Sequence, residues 1–191
     1  MSKLFVYDLE TTGVRYWKNG IHQISGMVVI DGEVKEEINI KCQPYKDALI
    51  EDEALAVAGV TREDLKGYMP FQGAYVELIK LLSKYVDKFN KKDKFYLVGY
   101  NNASFDNDFL RALFVQNGDN YFGSFFWSNS LDVMVLASMH LIKVRKKMEN
   151  FKLKTVAKEL GIEVDESKLH DAKYDLHLTY QIFLKITNFA E

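Results

Sequence analysis

Cysteine is almost missing from this chain of 191 residues: Cys42 stands alone, which excludes an internal disulfide and points to a reducing compartment. A single thiol of this kind reads as a small buried hydrophobe. Proline is nearly as scarce, at Pro44 and Pro70, and no Pro/Gly/Ser linker, repeat or low-complexity tract breaks the sequence. One domain over residues 1–191 is the expectation. No apolar stretch approaches ~18 residues, and no basic segment followed by a long apolar run opens the chain. A cytoplasmic protein without membrane contact is therefore expected. Neither sign of charge dominates, since 25 Lys and Arg stand against 27 Asp and Glu for a formal net charge of −2. With that balance, only the local arrangement of charge can speak for or against a nucleic-acid partner. Apolar residues, at 48% with 14% aromatic, are enough to bury a sizeable core.

Their spacing divides the chain into strands and helices. LFVYD and HQISGMVVI read as strands; a turn at Asp31-Gly32 then leads into EVKEEINIKC, whose alternation fits a half-exposed strand. From Pro70 the period becomes helical, with Ala74, Leu78, Leu81, Leu82 and Tyr85 on one face. FYLVGY reads as a further strand and SFDNDFLRALF as a helix with Ser104 at its N-cap. SLDVMVLASMHLI, LKTVAKELG (ended by Gly161) and a segment from about Asp171 to Phe189 complete the helices. Strands first, then alternating helices and strands, predict an α/β fold with a mixed sheet.

Acids sit at awkward places in this pattern. In a strand, Leu4, Val6, Asp8 and Glu10 share one face, which puts two carboxylates at the carboxyl end of an apolar run. Ligands of open α/β sheets bind beyond that end. Two adjacent carboxylates repel unless a proton or a cation lies between them, and hard oxygen donors suit magnesium or manganese. Taken alone, D-x-E fits equally a solvated Glu10 and an Asp8 that caps the following turn. Asp106 opens a helix after a second strand end, where the helix dipole favours a carboxylate for purely structural reasons too. Asp108 reads as a solvated first-turn residue. His170 precedes the last helix with Asp175 inside it, and His177 reads as a surface or packing residue.

Together D-L-E-T-T-G at Asp8 to Gly13, N-A-S-F-D at Asn102 to Asp106 and H-x-x-x-x-D at His170 to Asp175 resemble the DEDDh branch of the 3′→5′ exonucleases. Order and separation both fit, and the resemblance is strongest to the proofreading exonuclease of bacterial replicative polymerases, which is DnaQ-like. It implies a ribonuclease H-like fold with a central mixed five-stranded sheet flanked by helices. It also implies two divalent cations, Mg2+ or Mn2+, held by Asp8, Glu10, Asp106 and Asp175, with His170 as the general base that deprotonates the attacking water. The product would be a nucleoside 5′-monophosphate, taken from a single-stranded or frayed DNA 3′ end. By the same resemblance Leu9 would pack on the terminal base and Thr11 and Thr12 would meet its sugar. Phe105 would stack on the next base or belong to the core, and Asn102 would bond the substrate or tie the loop to Asp106.

Ala58 and Asn101 depart from the pattern, since relatives often have histidine at both, and this implies an altered hold on the terminal nucleotide. Between Leu141 and Lys158, seven basic residues (Lys143, Arg145, Lys146, Lys147, Lys152, Lys154, Lys158) face the single acid Glu149. Such an excess either steers a phosphate backbone or is a solvated face. D-L-E-T-T-G favours a DNA substrate; the alternatives are an exoribonuclease of the same superfamily and a catalytically idle nucleic-acid or polymerase-binding module. A DNA polymerase is the further partner implied. Glu191 follows directly on the last expected helix, so a free-standing repair enzyme is expected as readily as a replisome subunit.

Overall fold

The computed structural model describes residues 1–189. Five strands form one sheet in the order β3-β2-β1-β4-β5. β1 (Lys3–Thr11), β2 (Ile21–Ile30) and β3 (Glu33–Lys41) are an antiparallel meander, and β4 (Tyr96–Gly99) and β5 (Leu131–Asp132) join β1 in parallel. The β2–β3 turn is the expected Asp31-Gly32 pair. Both residues have positive φ, +48° and +83°, the twist that suits a two-residue hairpin loop. β3 lies at the sheet edge and exposes most of its residues, in keeping with its charged alternation.

Helices follow the meander: α1 (Asp52–Val57), α2 (Arg62–Lys66), α3 (Phe71–Tyr85), α4 (Asp106–Gln116), α5 (Phe122–Phe125), α6 (Val133–His140), α7 (Leu153–Glu159) and α8 (Ala172–Thr187). The alternation of β1 separates two cores. Phe5, Tyr7 and Leu9 pack with α3 and α4, whereas Leu4 and Val6 pack with α6, α7 and α8. Asp8 and Glu10 continue the second series, so strand period alone aims them at the α8 side of the sheet.

Three local expectations are corrected. Ser104 is not the cap of α4; it lies in a 3-10 turn, Asn102–Ser104, and its hydroxyl donates to Asn101 Oδ1 at 2.8 Å. Phe105 holds the cap position and contributes no side-chain bond. The start of SLDVMVLASMHLI is strand β5, and the helix begins only at Val133. The last helix ends at Thr187, with Asn188 in the left-handed region terminating it two residues before Phe189 would close the expected span.

Candidate active site

Four carboxylates converge at the carboxyl end of the sheet from three elements. Asp8 and Glu10 leave β1, Asp106 opens α4, and Asp175 lies in the first turn of α8. A bulge between Glu10 and Thr11 shifts the β1–β2 register there, from Glu10 against Gln23 to Thr11 against Ile21. Bulges of this kind re-aim side chains at the ends of strands. Asp106 is buried, and Asp8, Glu10 and Asp175 are half-buried.

Their electrostatics show the crowding. Burial pushes Asp8 well above the ordinary carboxylate range, and Asp106, Glu10, Asp175 and Asp171 add to the rise. Glu10 is lifted to about 8, first by burial and then by Asp175, Asp106 and Asp171. Asp106 rises to about 7 by burial, with Asp132 adding while its own backbone N–H and that of Leu9 pull it down. Asp175 is raised by burial against the opposing His170 N–H, which donates to its Oδ2 at 3.2 Å. Asp175 Oδ1 is buried with no hydrogen-bond partner.

This donor set fits divalent cations. Among the described residues none of the four acids pairs with a lysine or arginine. An all-oxygen set with an orphaned carboxylate oxygen is what a hard cation selects. Among the described residues no three His, Cys, Asp or Glu side chains close into a finished cage.

His170 is exposed on the approach to α8, in the left-handed region at φ +66°. That conformation is costly for a non-glycine residue and is found at functional sites. His170 and Asp175 share a cavity of about 180 Å³ with Lys152, Leu153, Lys154 and Leu169. The basic segment therefore reaches Asp175. Two of its seven cations share one acid outside it: Glu166 accepts from Lys154 at 3.3 Å and pairs with Lys158. His177 lies 3.2 Å from Glu37 of β3, away from the four carboxylates, and Asp108 is exposed, as expected.

The expected substrate contacts are placed differently from one another. Leu9 is buried in the core rather than open to a base. Thr11 donates to Gly13 O at 2.7 Å, and Thr12 donates to Leu49 O at 2.7 Å while accepting from Gly20 N–H at 2.9 Å. The Thr12 hydroxyl thus ties the chain at Gly20 to that at Leu49. Asn102 is buried beside the Tyr7 hydroxyl, yet neither Oδ1 nor Nδ2 closes a hydrogen bond. Phe105 is half-buried, its ring 5.0 Å from that of Phe109, and it retains an open side.

Asp132 escaped the reading of the sequence. Buried at the end of β5, it caps α6 by accepting from Met134 N–H at 2.9 Å. It also accepts from Asn101 N–H at 3.1 Å and Ala103 N–H at 3.2 Å, which fixes the turn leading to Asp106. An Asp just ahead of V-M-V is an N-cap signal, hidden because the whole segment read as one helix. Asp132→Ala is expected to destabilise the protein by about 3 kcal/mol, since it removes a cap and charge-assisted bonds at once. Denaturant unfolding checks this, and activity should fall further than the folded fraction does.

Comparison with known proteins places the chain in a family. An exonuclease family profile (RNase_T) matches residues 5–183. The chain belongs to that exonuclease family. Its relatives include the PolC-type DNA polymerase III of Mycoplasmopsis pulmonis, 26% identical over 94% of this chain but only 11% of the polymerase. Ribonuclease T of Shewanella denitrificans is 26% identical over 96% of this chain and 79% of that protein. Among solved structures, E. coli exonuclease I in complex with a dT13 oligonucleotide superposes with a TM-score of 0.76 at 20% identity, over 97% of this chain and 41% of that one. A zinc-bound form of the E. coli exonuclease I–ssDNA complex reaches 0.78 at 22%, over 98% and 41%. The chain thus spans about a tenth of the polymerase and under half of exonuclease I. The exonuclease kinship expected from the three motifs and the mixed five-stranded, ribonuclease H-like sheet are both borne out. Among the described residues, no helix is long and apolar enough to cross a membrane.

Proposed function

We propose that this exonuclease shortens single-stranded or frayed DNA from its 3′ end and releases nucleoside 5′-monophosphates. The observation behind this reading is the convergence of Asp8, Glu10, Asp106 and Asp175, each raised in pKa, beside the exposed His170. The four carboxylates would hold two divalent cations, Mg2+ or Mn2+. When bound, these lower the pKa of a water and stabilise the charge on the departing 3′ oxygen. His170 takes the proton of the attacking water, from a position tied to the cluster by its own N–H on Asp175. Lys152, in the cavity of His170 and Asp175, holds the phosphate backbone that the acids alone would repel.

A second reading, exoribonuclease action, draws support from the ribonuclease T relatives, of which this chain covers most of the length. The polymerase relatives support a polymerase partner in the same measure. An idle binding module is disfavoured because all four acids and His170 are retained around one centre.

Matched 5′-labelled DNA and RNA 12-mers, single-stranded and mispaired, incubated with magnesium or manganese, test the proposal. A ladder shortening from the 3′ end, abolished by chelation, is expected, with DNA degraded faster than RNA. Intact strands with every metal, or cuts that begin inside a strand, would rule the proposal out. Lys152→Ala is expected to raise KM about three- to tenfold with little change in kcat. It should also flatten the salt dependence of binding by about 0.7 in log–log slope, as loss of one phosphate contact to a single strand requires.

A further inference from the structure

One residue after D-L-E-T-T-G the chain presents Arg15, Tyr16, Trp17 and Lys18, all four exposed. The Tyr16 and Trp17 rings meet edge to face with centroids 5.1 Å apart, and Trp17 is 61% exposed. Large rings turned to water on a soft loop would mean little, but this loop is braced. Lys18 N–H and Asn19 N–H donate to Arg15 O at 2.8 and 2.7 Å, and Asn19 Oδ1 accepts from Arg15 N–H at 2.8 Å. Arg15 is pinned to Glu51 at 2.9 Å, and Thr12 N–H donates to Gly20 O at 2.8 Å, which closes the loop at its base.

The ring pair leans towards α4, and between them lies a cavity of about 240 Å³ lined by Tyr16, Trp17, Asp108, Arg111, Ala112 and Val115. Since α4 begins at Asp106, these helix residues lie about 3 to 14 Å along the axis from the site carboxylate. Cations outnumber acids around the rings: Arg15, Lys18 and Arg111 stand against Asp108 and Glu51, the ion-pair partner of Arg15, and Lys18 and Arg111 have no such partner among the described residues. Arg111 sits over the Phe122 ring at 4.4 Å. Flat aromatic surface interleaved with positive charge is complementary to an unpaired strand, which offers base faces and phosphates together. A duplex hides its base faces inside the stack.

We propose that Tyr16 and Trp17 form a stacking platform for unpaired bases of the strand that leads into the active site, which makes them determinants of single-strand preference. The inference rests on the reading of the site as one that takes a nucleic-acid 3′ end. Trp17 and Trp127 are the two tryptophans of the chain, and Trp127 lies apart, against Tyr96 at 6.0 Å. Trp127→Phe therefore makes Trp17 emission a private reporter. Titration of this variant with a single-stranded dT12 in EDTA, where hydrolysis is blocked, should quench the emission. The Tyr16→Ala/Trp17→Ala variant, whose changes are confined to exposed side chains, should bind fluorescein-labelled dT12 about tenfold or more weaker than wild type. Its affinity for a blunt hairpin of equal length should drop far less. Unchanged Trp17 emission together with a dT12 Kd within about twofold of wild type overturns the platform. Quenching by a strand that is never cut with any metal would sink the exonuclease reading and leave the platform standing; cutting without quenching does the reverse.

Discussion

Asp8→Asn is expected to abolish hydrolysis, by at least about a thousandfold, while making the cation-free protein more stable. The first half follows from the position of Asp8 at the centre of the carboxylate cluster, where it faces Asp106, Glu10 and Asp175 together. Stabilisation of reaction charge by bound divalent ions is worth several kcal/mol, and each 1.36 kcal/mol is tenfold in rate. The second half follows from linkage. All four acids have folded-state pKa values above their ordinary ones, with Glu10 at about 8 and Asp106 at about 7. Between the ordinary carboxylate range and about pH 8 the folded chain binds more protons than the unfolded chain, so the stability of the cation-free protein falls as pH rises. Below that range the penalty vanishes. Thermal melts in EDTA should therefore show the variant above wild type at pH 8 and level with it near pH 4. Magnesium should then raise the wild-type midpoint and barely move that of the variant. A variant less stable than wild type at pH 8 would contradict this account of the cluster.

His170→Gly is expected to separate stability from turnover in the same sense by a different route. The left-handed backbone at His170 penalises a residue with a Cβ, and glycine adopts it freely. The substitution should stabilise the fold by about 1 kcal/mol, read from denaturant unfolding. Loss of a positioned proton acceptor should lower kcat by about 10²–10⁴-fold with little change in KM. A purely structural His170 would give the opposite pair of results, near-normal turnover and no gain in stability. Single-turnover measurements under saturating strand keep product release from masking the chemical step.

Sequence pattern reached the parts of the site that depend on local period or on family motif. Asp8 and Glu10 were legible because side chains two apart in a strand share a face, and Asp106, His170 and Asp175 because their spacing matches known exonucleases. The buried face of α3, with Ala74, Leu78, Leu81 and Leu82, followed from helical spacing alone. What stayed hidden was tertiary. β5 is two residues long, too short for any period to register. The Asp132 bonds to Asn101 and Ala103 join segments about thirty residues apart, and the Thr12 clasp on Leu49 spans a separation of 37. Glu166 lies outside the basic run but pairs with two of its lysines, so counting charges along the chain overstated the free cations of that segment.

That last pairing has a consequence for how the enzyme should respond to its medium. Glu166 belongs to the short turn Glu166–Lys168, four residues ahead of His170, and its partners Lys154 and Lys158 stand on α7. His170, the proposed general base, is thus moored to a neighbouring helix through exposed ion pairs, and such pairs weaken as salt screens them. Added salt would loosen the mooring of His170 as well as the proposed grip of Lys152 on the strand. Turnover at saturating strand should then slip with ionic strength, a dependence that phosphate binding alone would confine to KM.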